Sequence, residues 1–266
     1  MRTSPARPGT LFTSHYVDIR GPSAAASITT RLRESGLVTV DGLMSRREVL
    51  AFASNIMTIE PHPHSAPDGL TTIHDTGTQA HRAGFAGLGR GALEAHTERA
   101  GVPEPPRLLL LVCLRPATEG GDALLADGVD VLAGLCGRGR ETAVALARPR
   151  TAYFGAGAGH PSQVFTAHPE RRVSVRLRQD GLARWSPVVQ PYLSTLRSAI
   201  AGCQRRLRLG PGQGYLLDNH RWLHARTAFS GDRLCLRALG HPHVPLLAGF
   251  APDFPTVLLP QANEAV

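Results

Sequence analysis

The sequence contains no lysine, few aromatic residues and no apolar run long enough to cross a membrane. All 29 basic residues are therefore arginines, and they outnumber the 21 acidic residues, which gives a formal net charge of +8. Aromatic residues make up only 5% of the chain and are sparsely placed, whereas proteins that bind single-stranded nucleic acid usually combine arginines with aromatic side chains. The longest apolar stretch, residues 108–114, suits a buried strand. We expect neither nucleic acid nor a membrane as a partner.

The excess of arginine leaves two interpretations open. A basic surface that only faces solvent would account for it. Attraction of acidic small molecules would also account for it, because a guanidinium group binds a carboxylate through two parallel hydrogen bonds.

Cysteine is scarce too, and the four thiols include no C-x-x-C pair: Cys113, Cys136, Cys203 and Cys235. Most of them lie in apolar or periodic segments, which is typical of reduced core residues. The N-terminus carries arginines but lacks the hydrophobic stretch of a signal peptide. These features predict a cytoplasmic protein.

Length and composition suffice for one large core, since the chain has 266 residues of which 42% are hydrophobic. We expect a single domain over residues 1–266. Residues 1–12 are expected to be flexible. Residues 60–90 are rich in proline and glycine and are expected to form a rim or lid.

Local patterns predict helices packed outside a β core. The predicted helices cover residues 23–35, a segment that begins with a Ser45–Glu48 capping box, a segment capped by Asp127 or Asp130, residues 141–147 and residues 190–209. The predicted strands cover residues 15–19, 37–40, 70–74, 108–114, 173–177 and 215–217, with a further strand after the turn at 230–232.

Two residues in the middle of the chain, His96 and Glu98, form half of a possible metal site. They are two positions apart, so on a strand both side chains would project from the same face. One imidazole and one carboxylate, joined by a second imidazole, make the facial triad of non-haem Fe(II) oxygenases. By itself the pair is weak support, because a chain with 12 histidines contains such pairs by chance.

Other histidine pairs admit a metal interpretation as well. His62 and His64 flank a proline in the expected rim, and His241 and His243 repeat the same spacing. A proline separates the two histidines of each pair and no cysteine lies close to either pair, so solvent-facing or substrate-side roles are the alternative. His74 and His81 lie in the same rim.

The stretch from residue 214 to residue 237 places arginines on one face of a predicted strand. With a period of two, Leu234 and Leu236 take one face while Arg233, Cys235 and Arg237 take the other. Two arginines on the inner face of a barrel are costly unless an anion meets them. An acidic co-substrate would remove that cost.

Taken together, the motifs resemble the Fe(II)/2-oxoglutarate-dependent dioxygenases of the taurine dioxygenase (TauD/TfdA) superfamily, especially the clavaminate synthase-like branch with the amino-acid hydroxylases. In chain order they are His96-Thr97-Glu98, the strand 108–114, Gly120-Gly121-Asp122, and Asp218-Asn219-His220-Arg221 with His224 and Arg226. Several motifs in the right order are more specific than any one alone. The resemblance covers residues 84–237 and implies a mostly β fold with flanking helices, built on a double-stranded β-helix (jelly-roll, cupin-like) core.

Carried over by position, the resemblance implies that His96, Glu98 and His224 bind iron. It implies that Arg237 holds the distal carboxylate of 2-oxoglutarate. Arg233 shares the face of Arg237, so periodicity does not choose between them, and the family position favours Arg237. Relatives have a threonine after the glycine turn whose hydroxyl helps hold that carboxylate. Here the position is Ala123, which departs from the pattern and requires another donor or weaker binding.

The function implied is oxidation of an unactivated C–H bond in an amino acid or other small polar metabolite of specialised metabolism. The resemblance implies Fe(II), 2-oxoglutarate and O2 as cofactor and co-substrates, with succinate and CO2 as products. Hydroxylation is the default outcome, and desaturation or cyclisation remain alternatives. The substrate walls are expected at residues 72–87 and 173–185, with Arg176, Arg178 and Asp180 as candidate contacts for a zwitterionic or acidic substrate.

Two other classes of function compete with the oxygenase. A non-catalytic β-barrel that binds an anionic small molecule would use the arginine face but would not need the two histidines and Glu98. A nucleic-acid binder would use the net charge but lacks the aromatic side chains.

Overall fold

The computed structural model of the protein describes residues 10–77 and 84–254. The expectation of flexibility at residues 1–12 falls mostly outside this part of the chain. The predicted rim residue His81 also lies outside the described residues, so neither is tested.

The described chain is mostly β with six α-helices. The helices are α1 (Thr10–Ser14), α2 (Ala24–Glu34), α3 (Arg46–Ile56), α4 (Gly128–Cys136), α5 (Arg140–Ala147) and α6 (Leu193–Cys203). Short 3-10 helices occur at Ala86–Leu88 and Gln190–Tyr192. No helix within residues 10–77 and 84–254 is long and apolar enough to cross a membrane.

The strands pair in antiparallel fashion throughout the described residues. They are β1 (Leu37–Val40), β2 (Met57–Ile59), β3 (Thr71–Ile73), β4 (Leu93–His96), β5 (Leu108–Arg115), β6 (Glu119–Gly120), β7 (Ala123–Asp127), β8 (Ala152–Phe154), β9 (His160–Ser162), β10 (Phe165–His168), β11 (Arg172–Val175), β12 (Ala183–Trp185), β13 (Arg205–Leu207), β14 (Gly214–Asp218), β15 (Trp222–Arg226), β16 (Phe229–Ser230) and β17 (Leu234–Pro242). This arrangement confirms the prediction of a mostly β protein with accompanying helices.

Two of the sheets carry the site. A six-stranded sheet has the order β1-β14-β5-β17-β2, with β3 also paired to β17, and a four-stranded sheet has the order β13-β7-β15-β4. The inner faces of both sheets contribute to one hydrophobic cluster, which joins Leu109 and Leu217 of the first sheet to Leu125 and Trp222 of the second. The two sheets therefore pack face to face.

The outer faces of these sheets are covered by helices. Ile28 of α2 and Val49 of α3 pack with Leu110 and Leu236 on the outside of the six-stranded sheet. Helices α4, α5 and α6 pack with Leu223 on the outside of the four-stranded sheet. The buried faces exclude water from the strands that hold the site.

The predicted alternation is confirmed from Cys235 onward in β17, whose pairing with β5 shifts in register between Leu234 and Cys235. Leu236 and Ala238 belong to the outer cluster, whereas Cys235 belongs to the inner one and Arg233 and Arg237 line a cavity between the sheets. The Ser45–Glu48 capping box and the Asp127 cap are likewise present.

Two local predictions are wrong. Residues 15–19 do not form a strand; helix α1 precedes them, and Tyr16 makes only an isolated bridge to Thr39. The helix predicted for residues 190–209 ends at Cys203. Beyond this helix, Leu207 of β13 pairs with Ala123 of β7 and is buried in the inner cluster. Pairing between distant strands therefore outweighs the helical spacing of the apolar residues in this segment.

Candidate active site

The strand pair β4–β15 brings together residues that are far apart in sequence. His96, the last residue of β4, lies directly opposite His224 of β15, and the centroids of their rings are 4.2 Å apart. Because side chains alternate along β15, His224 faces inward with Trp222, and Leu223 faces the outer helices. Glu98 lies in the turn after β4, so the expectation that His96 and Glu98 share one strand is wrong. Their side chains nevertheless converge on one point.

His96, Glu98 and His224 offer ligand atoms that all lie within 4.8 Å of one another. The Nδ1 of His96 lies 2.8 Å from the carbonyl oxygen of Glu94. A carbonyl only accepts, so Nδ1 carries the proton and Nε2 is free for a metal. The Nε2 of His224 lies 3.9 Å from Oε2 of Glu98, which is too long for a hydrogen bond.

The backbone of Glu98 is held by Asn219, a residue just before β15. The amide N–H of Glu98 donates to Oδ1 of Asn219 at 2.7 Å. Nδ2 of Asn219 donates back to the carbonyl of Glu98 at 3.0 Å and to that of Pro106 at 2.9 Å. Asn219 is buried, so it fixes the turn that aims the carboxylate.

The side chain of Glu98 is ionised in its buried position. Nη1 of Arg237 donates to Oε2 of Glu98 at 2.5 Å. Burial opposes the negative charge, but the interactions with neighbouring groups, of which the positive charge of Arg237 is the strongest, outweigh it and lower the pKa of Glu98 to about 2. Burial lowers the pKa of His224 well below its usual value. A carboxylate beside neutral imidazole is the protonation state that binds a metal.

Arg233 is a buried cation without an acidic partner. It is 7% exposed, lines the cavity and has no hydrogen bond or ion pair with any described residue. A Cβ added to Gly121, which has a φ of +71°, would lie 2.9 Å from Cδ of Arg233. The glycine turn therefore packs closely on this arginine, and no acidic side chain of the described residues pairs with it.

Arg226 anchors the segment that leads into β4. Its Nη2 donates to the carbonyls of Gly89 and Gly91, both at 2.6 Å, and its Nη1 donates to that of Gly87 at 3.2 Å. Because Arg226 lies two residues after His224 on the inner face, the same strand that presents His224 also positions the approach to His96.

The three residues of the triad and the three arginines Arg226, Arg233 and Arg237 line a cavity of about 650 Å³. Ala123 lies in its wall, as do Arg178 and Asp180, which form a two-pronged ion pair at 2.5 and 2.7 Å. Arg176 lies outside the cavity wall. Its guanidinium donates to the carbonyls of Val102 and Pro103.

Several residues that the sequence did not assign to a site lie in the cavity wall. His62 and His64 are among them, and neither belongs to the group of possible metal-ligand residues found in the described part of the chain. Burial, reinforced by the charge of Arg237, lowers the pKa of His62 to about 4. Tyr215 also lines the cavity. The period of two along β14 could have indicated its inward position, but nothing in the sequence shows which inward residues border open space.

The donor set fits Fe(II). Two imidazoles and one carboxylate on one side of a cavity form a facial triad with room for further ligands, and thiolates are absent from the cluster of donors in the described residues. The side of the triad that is not packed against the protein faces the cavity, which Arg233 also lines.

The sequence matches a known family of iron-dependent enzymes over most of its length. The model of the taurine catabolism dioxygenase TauD, TfdA family matches residues 5–239. The chain belongs to this family. The resemblance to TauD/TfdA proteins is confirmed, and the prediction of a non-haem iron, 2-oxoglutarate-dependent dioxygenase is confirmed at the level of the family.

Solved structures of this kind are similar in fold. An asparagine oxygenase with Fe(II), 2S,3S-3-hydroxyasparagine and succinate has 17% identity, a TM-score of 0.66, and coverage of 83% of this chain and 79% of its own. The non-haem iron oxygenase OrfP with Fe, succinate and (3S)-hydroxy-L-Arg has 14% identity, a TM-score of 0.63 and coverage of 83% of each chain. PvcB from Pseudomonas aeruginosa has 14% identity, a TM-score of 0.64 and coverage of 85% of each chain.

Proposed function

We propose that this TauD/TfdA-family protein hydroxylates a C–H bond of an amino acid or similar small polar molecule, using Fe(II), 2-oxoglutarate and O2. The observation that carries the proposal is the meeting of His96, Glu98 and His224 at a cavity that also contains an unpaired buried arginine. The overall reaction balances as substrate, 2-oxoglutarate and O2 giving hydroxylated substrate, succinate and CO2.

We also propose that the chain is one domain built on a double-stranded β-helix. The face-to-face packing of a six-stranded and a four-stranded antiparallel sheet supports this core. The four free cysteines suit a reducing compartment, so a cytoplasmic location belongs to the proposal.

Iron would be held by Nε2 of His96, a carboxylate oxygen of Glu98 and Nε2 of His224. When bound with 2-oxoglutarate and O2, the metal supplies the oxidising chemistry that splits the co-substrate and functionalises the C–H bond. The protein residues do the positioning. Asn219 fixes the turn of Glu98, the carbonyl of Glu94 fixes the ring of His96, and the walls keep water from the reacting carbon.

The distal carboxylate of 2-oxoglutarate is assigned here to Arg233, not to Arg237, which the family position favoured. Arg237 already donates to Glu98, whereas Arg233 is buried without an acid and lies against the glycine turn next to Ala123. Arg237 has only one of its nitrogens engaged, since Nε has no hydrogen-bond partner. It is placed to meet a second anionic group nearer the metal, such as a substrate carboxylate.

Charge in the cavity wall and the structural neighbours support the proposed substrate class. Arg178 and Asp180 present both charges in the cavity wall, which suits a zwitterion. The structures of the asparagine oxygenase and of OrfP contain hydroxylated asparagine and hydroxylated arginine, which supports an amino-acid substrate for this protein. Arg176 is not retained as a contact, because its guanidinium is occupied by backbone carbonyls outside the cavity.

Anaerobic addition of Fe(II) and 2-oxoglutarate tests the proposal. We expect a weak visible charge-transfer band in the wild-type protein and none in His224→Ala, because the triad then lacks one imidazole. With O2 and a panel of amino acids, the wild type should form succinate. Neither a band nor succinate in the wild type would sink the oxygenase assignment.

Non-catalytic binding of an anionic small molecule is the alternative, and Arg233 alone would support it. The Glu98→Ala variant distinguishes the two functions. A binding protein keeps its metal-independent affinity for 2-oxoglutarate in this variant, whereas the oxygenase loses metal-dependent binding.

A further inference from the structure

Tyr215 is a buried residue whose hydroxyl makes no hydrogen bond with any side chain or backbone group of the described residues. The residue is 2% exposed and lies on β14, opposite Leu111 of β5, which is in turn opposite Arg237 of β17. Its side chain lines the cavity. No hydrogen bond joins its hydroxyl to any of the described residues, although a buried tyrosine hydroxyl usually has such a partner.

Other hydroxyl groups near the cavity are already engaged. Thr71 hydrogen-bonds through Oγ1 to Ser65, and Thr97 donates to the carbonyl of Leu177. Thr227, beside the glycine turn, accepts from the amide of Asp122. Among the three hydroxyl-bearing residues in the described cavity wall, Thr71, Thr97 and Tyr215, Tyr215 is the one whose hydroxyl takes part in no hydrogen bond with a described residue.

The free hydroxyl faces a basic part of the cavity. Burial raises the pKa of Tyr215, and the positive charge of Arg233 is the strongest charge acting on it in the opposite direction. The hydroxyl therefore stays protonated at neutral pH and is a donor. A neutral donor and an unpaired guanidinium that border one cavity are complementary to the two oxygens of a carboxylate.

We propose that the Tyr215 hydroxyl donates a hydrogen bond to the distal carboxylate of 2-oxoglutarate beside Arg233, and thereby supplies the donor that Ala123 lacks. This inference rests on the proposed function, since it assigns a residue to the co-substrate of that reaction. Ala123 contributes only a methyl group to the cavity wall, while Tyr215 reaches in from the six-stranded sheet.

The test is Tyr215→Phe, which removes the hydroxyl and keeps the ring. Calorimetric titration of the Mn(II)-loaded protein should show a dissociation constant for 2-oxoglutarate that is about tenfold to 100-fold higher than in the wild type, as for loss of a hydrogen bond to a charged group. The dissociation constant for 2-oxopentanoate, which has the same chain length without the distal carboxylate, should not change. The affinity for Mn(II) should also stay the same.

Tyr192→Phe is the matched control, because Tyr192 lies outside the cavity wall; it should bind 2-oxoglutarate as the wild type does. The thermal midpoint of ligand-free Tyr215→Phe should equal or exceed that of the wild type, since no bond within the protein is lost. A lower midpoint would show that the hydroxyl serves the fold and would overturn the proposal.

Equal 2-oxoglutarate affinity in Tyr215→Phe and wild type would overturn the role of Tyr215 and leave the oxygenase assignment intact. An equal loss of affinity for 2-oxopentanoate would also overturn it, because the effect would then not involve the distal carboxylate. If the metal-loaded wild type binds no 2-oxoglutarate at all, the proposed function and this inference fall together.

Discussion

Asn219 is buried and connects the two halves of the metal centre. Its carboxamide hydrogen-bonds to the amide and carbonyl of Glu98 and to the carbonyl of Pro106, and it precedes His224 by only five positions. A residue that orients a metal ligand from behind typically changes metal affinity by about tenfold to 100-fold when it is lost. Asn219 is therefore a positioning residue for Glu98.

We predict that Asn219→Ala weakens Co(II) or Fe(II) binding by about tenfold or more. It should also lower the free energy of unfolding by about 2–4 kcal/mol, because the buried amide of Glu98 loses its acceptor. Metal titration and urea denaturation measure the two effects. Asn55→Ala, in an exposed position of α3, is the control, and an unchanged metal affinity in Asn219→Ala would refute the positioning role.

His220 makes the fold sensitive to acid. Burial lowers its pKa to about 4, against the opposing charge of Asp218. The unfolded chain takes up this proton near pH 6.5, about the usual value for histidine, whereas the folded chain resists it until about pH 4. The stability that neutral His220 contributes is therefore complete above pH 6.5 and decreases as the pH falls.

From pH 7 to pH 5 we predict that His220 alone accounts for a loss of about 2 kcal/mol in the free energy of unfolding. Urea denaturation of wild type and His220→Gln at both pH values measures it. The variant should lose about 2 kcal/mol less than the wild type over this range, and the exposed His74→Gln should behave as the wild type. Identical losses in wild type and His220→Gln would contradict the assignment.

At the scale of elements, Asp127 joins β7, helix α4 and the turn before β15. Its Oδ1 caps α4 by accepting from the amide of Val129. Both carboxylate oxygens accept from Arg221, at 2.9 and 2.7 Å, and Arg221 also donates to the carbonyl of Glu34 at the end of α2. One carboxylate thus fixes the start of the strand that carries His224.

We predict that Asp127→Ala lowers the free energy of unfolding by about 2–4 kcal/mol, because a cap and a largely buried charge pair are lost together. The comparison is Ser45→Ala, which removes an exposed helix cap of α3 and should cost about 1 kcal/mol. Urea denaturation measures both. A smaller effect for Asp127→Ala than for Ser45→Ala would show that the junction does not matter for stability.

At the scale of the whole molecule, the site is formed only when both central sheets are folded. The proposed metal ligands come from β4, the following turn and β15, whereas Tyr215 lies on the opposite sheet and Arg233 directly precedes β17 of that sheet. Ligands that bind only the folded state stabilise it, by about 2.7 kcal/mol at a hundredfold excess over the dissociation constant. We therefore expect metal and co-substrate to stabilise the chain against unfolding as one cooperative unit.

We predict that 2-oxoglutarate raises the thermal midpoint by several degrees in the presence of Mn(II), and by much less after EDTA treatment, because the two ligands bind cooperatively. Differential scanning calorimetry measures the shift. Glu98→Ala should lack the metal-dependent part. An equal shift by 2-oxoglutarate with and without metal would favour the anion-binding alternative.

The sequence by itself determined the residue types and their order. The spacing of His96 and Glu98, the inward arginines of β17 and the caps at Ser45 and Asp127 depend on local periodicity and hydrogen bonding, which the chain carries in short segments. It also indicated that Arg233 and Arg237 share one face. It could not show which of the two arginines binds the co-substrate, because a period of two places both side chains on the same face.

Only the tertiary structure decided which of these positions meet. The pairing of β4 with β15 places His224 opposite His96. The packing of the two sheets determines that Arg237 contacts Glu98, while Arg233 and Tyr215 line the cavity without a hydrogen bond to any described residue. The prediction that Leu207 belongs to a helix is wrong for the same reason, because this residue pairs with Ala123 on a strand distant in sequence. Contacts between strands distant in sequence depend on how whole faces are buried, and that is a property of the folded chain, not of any segment.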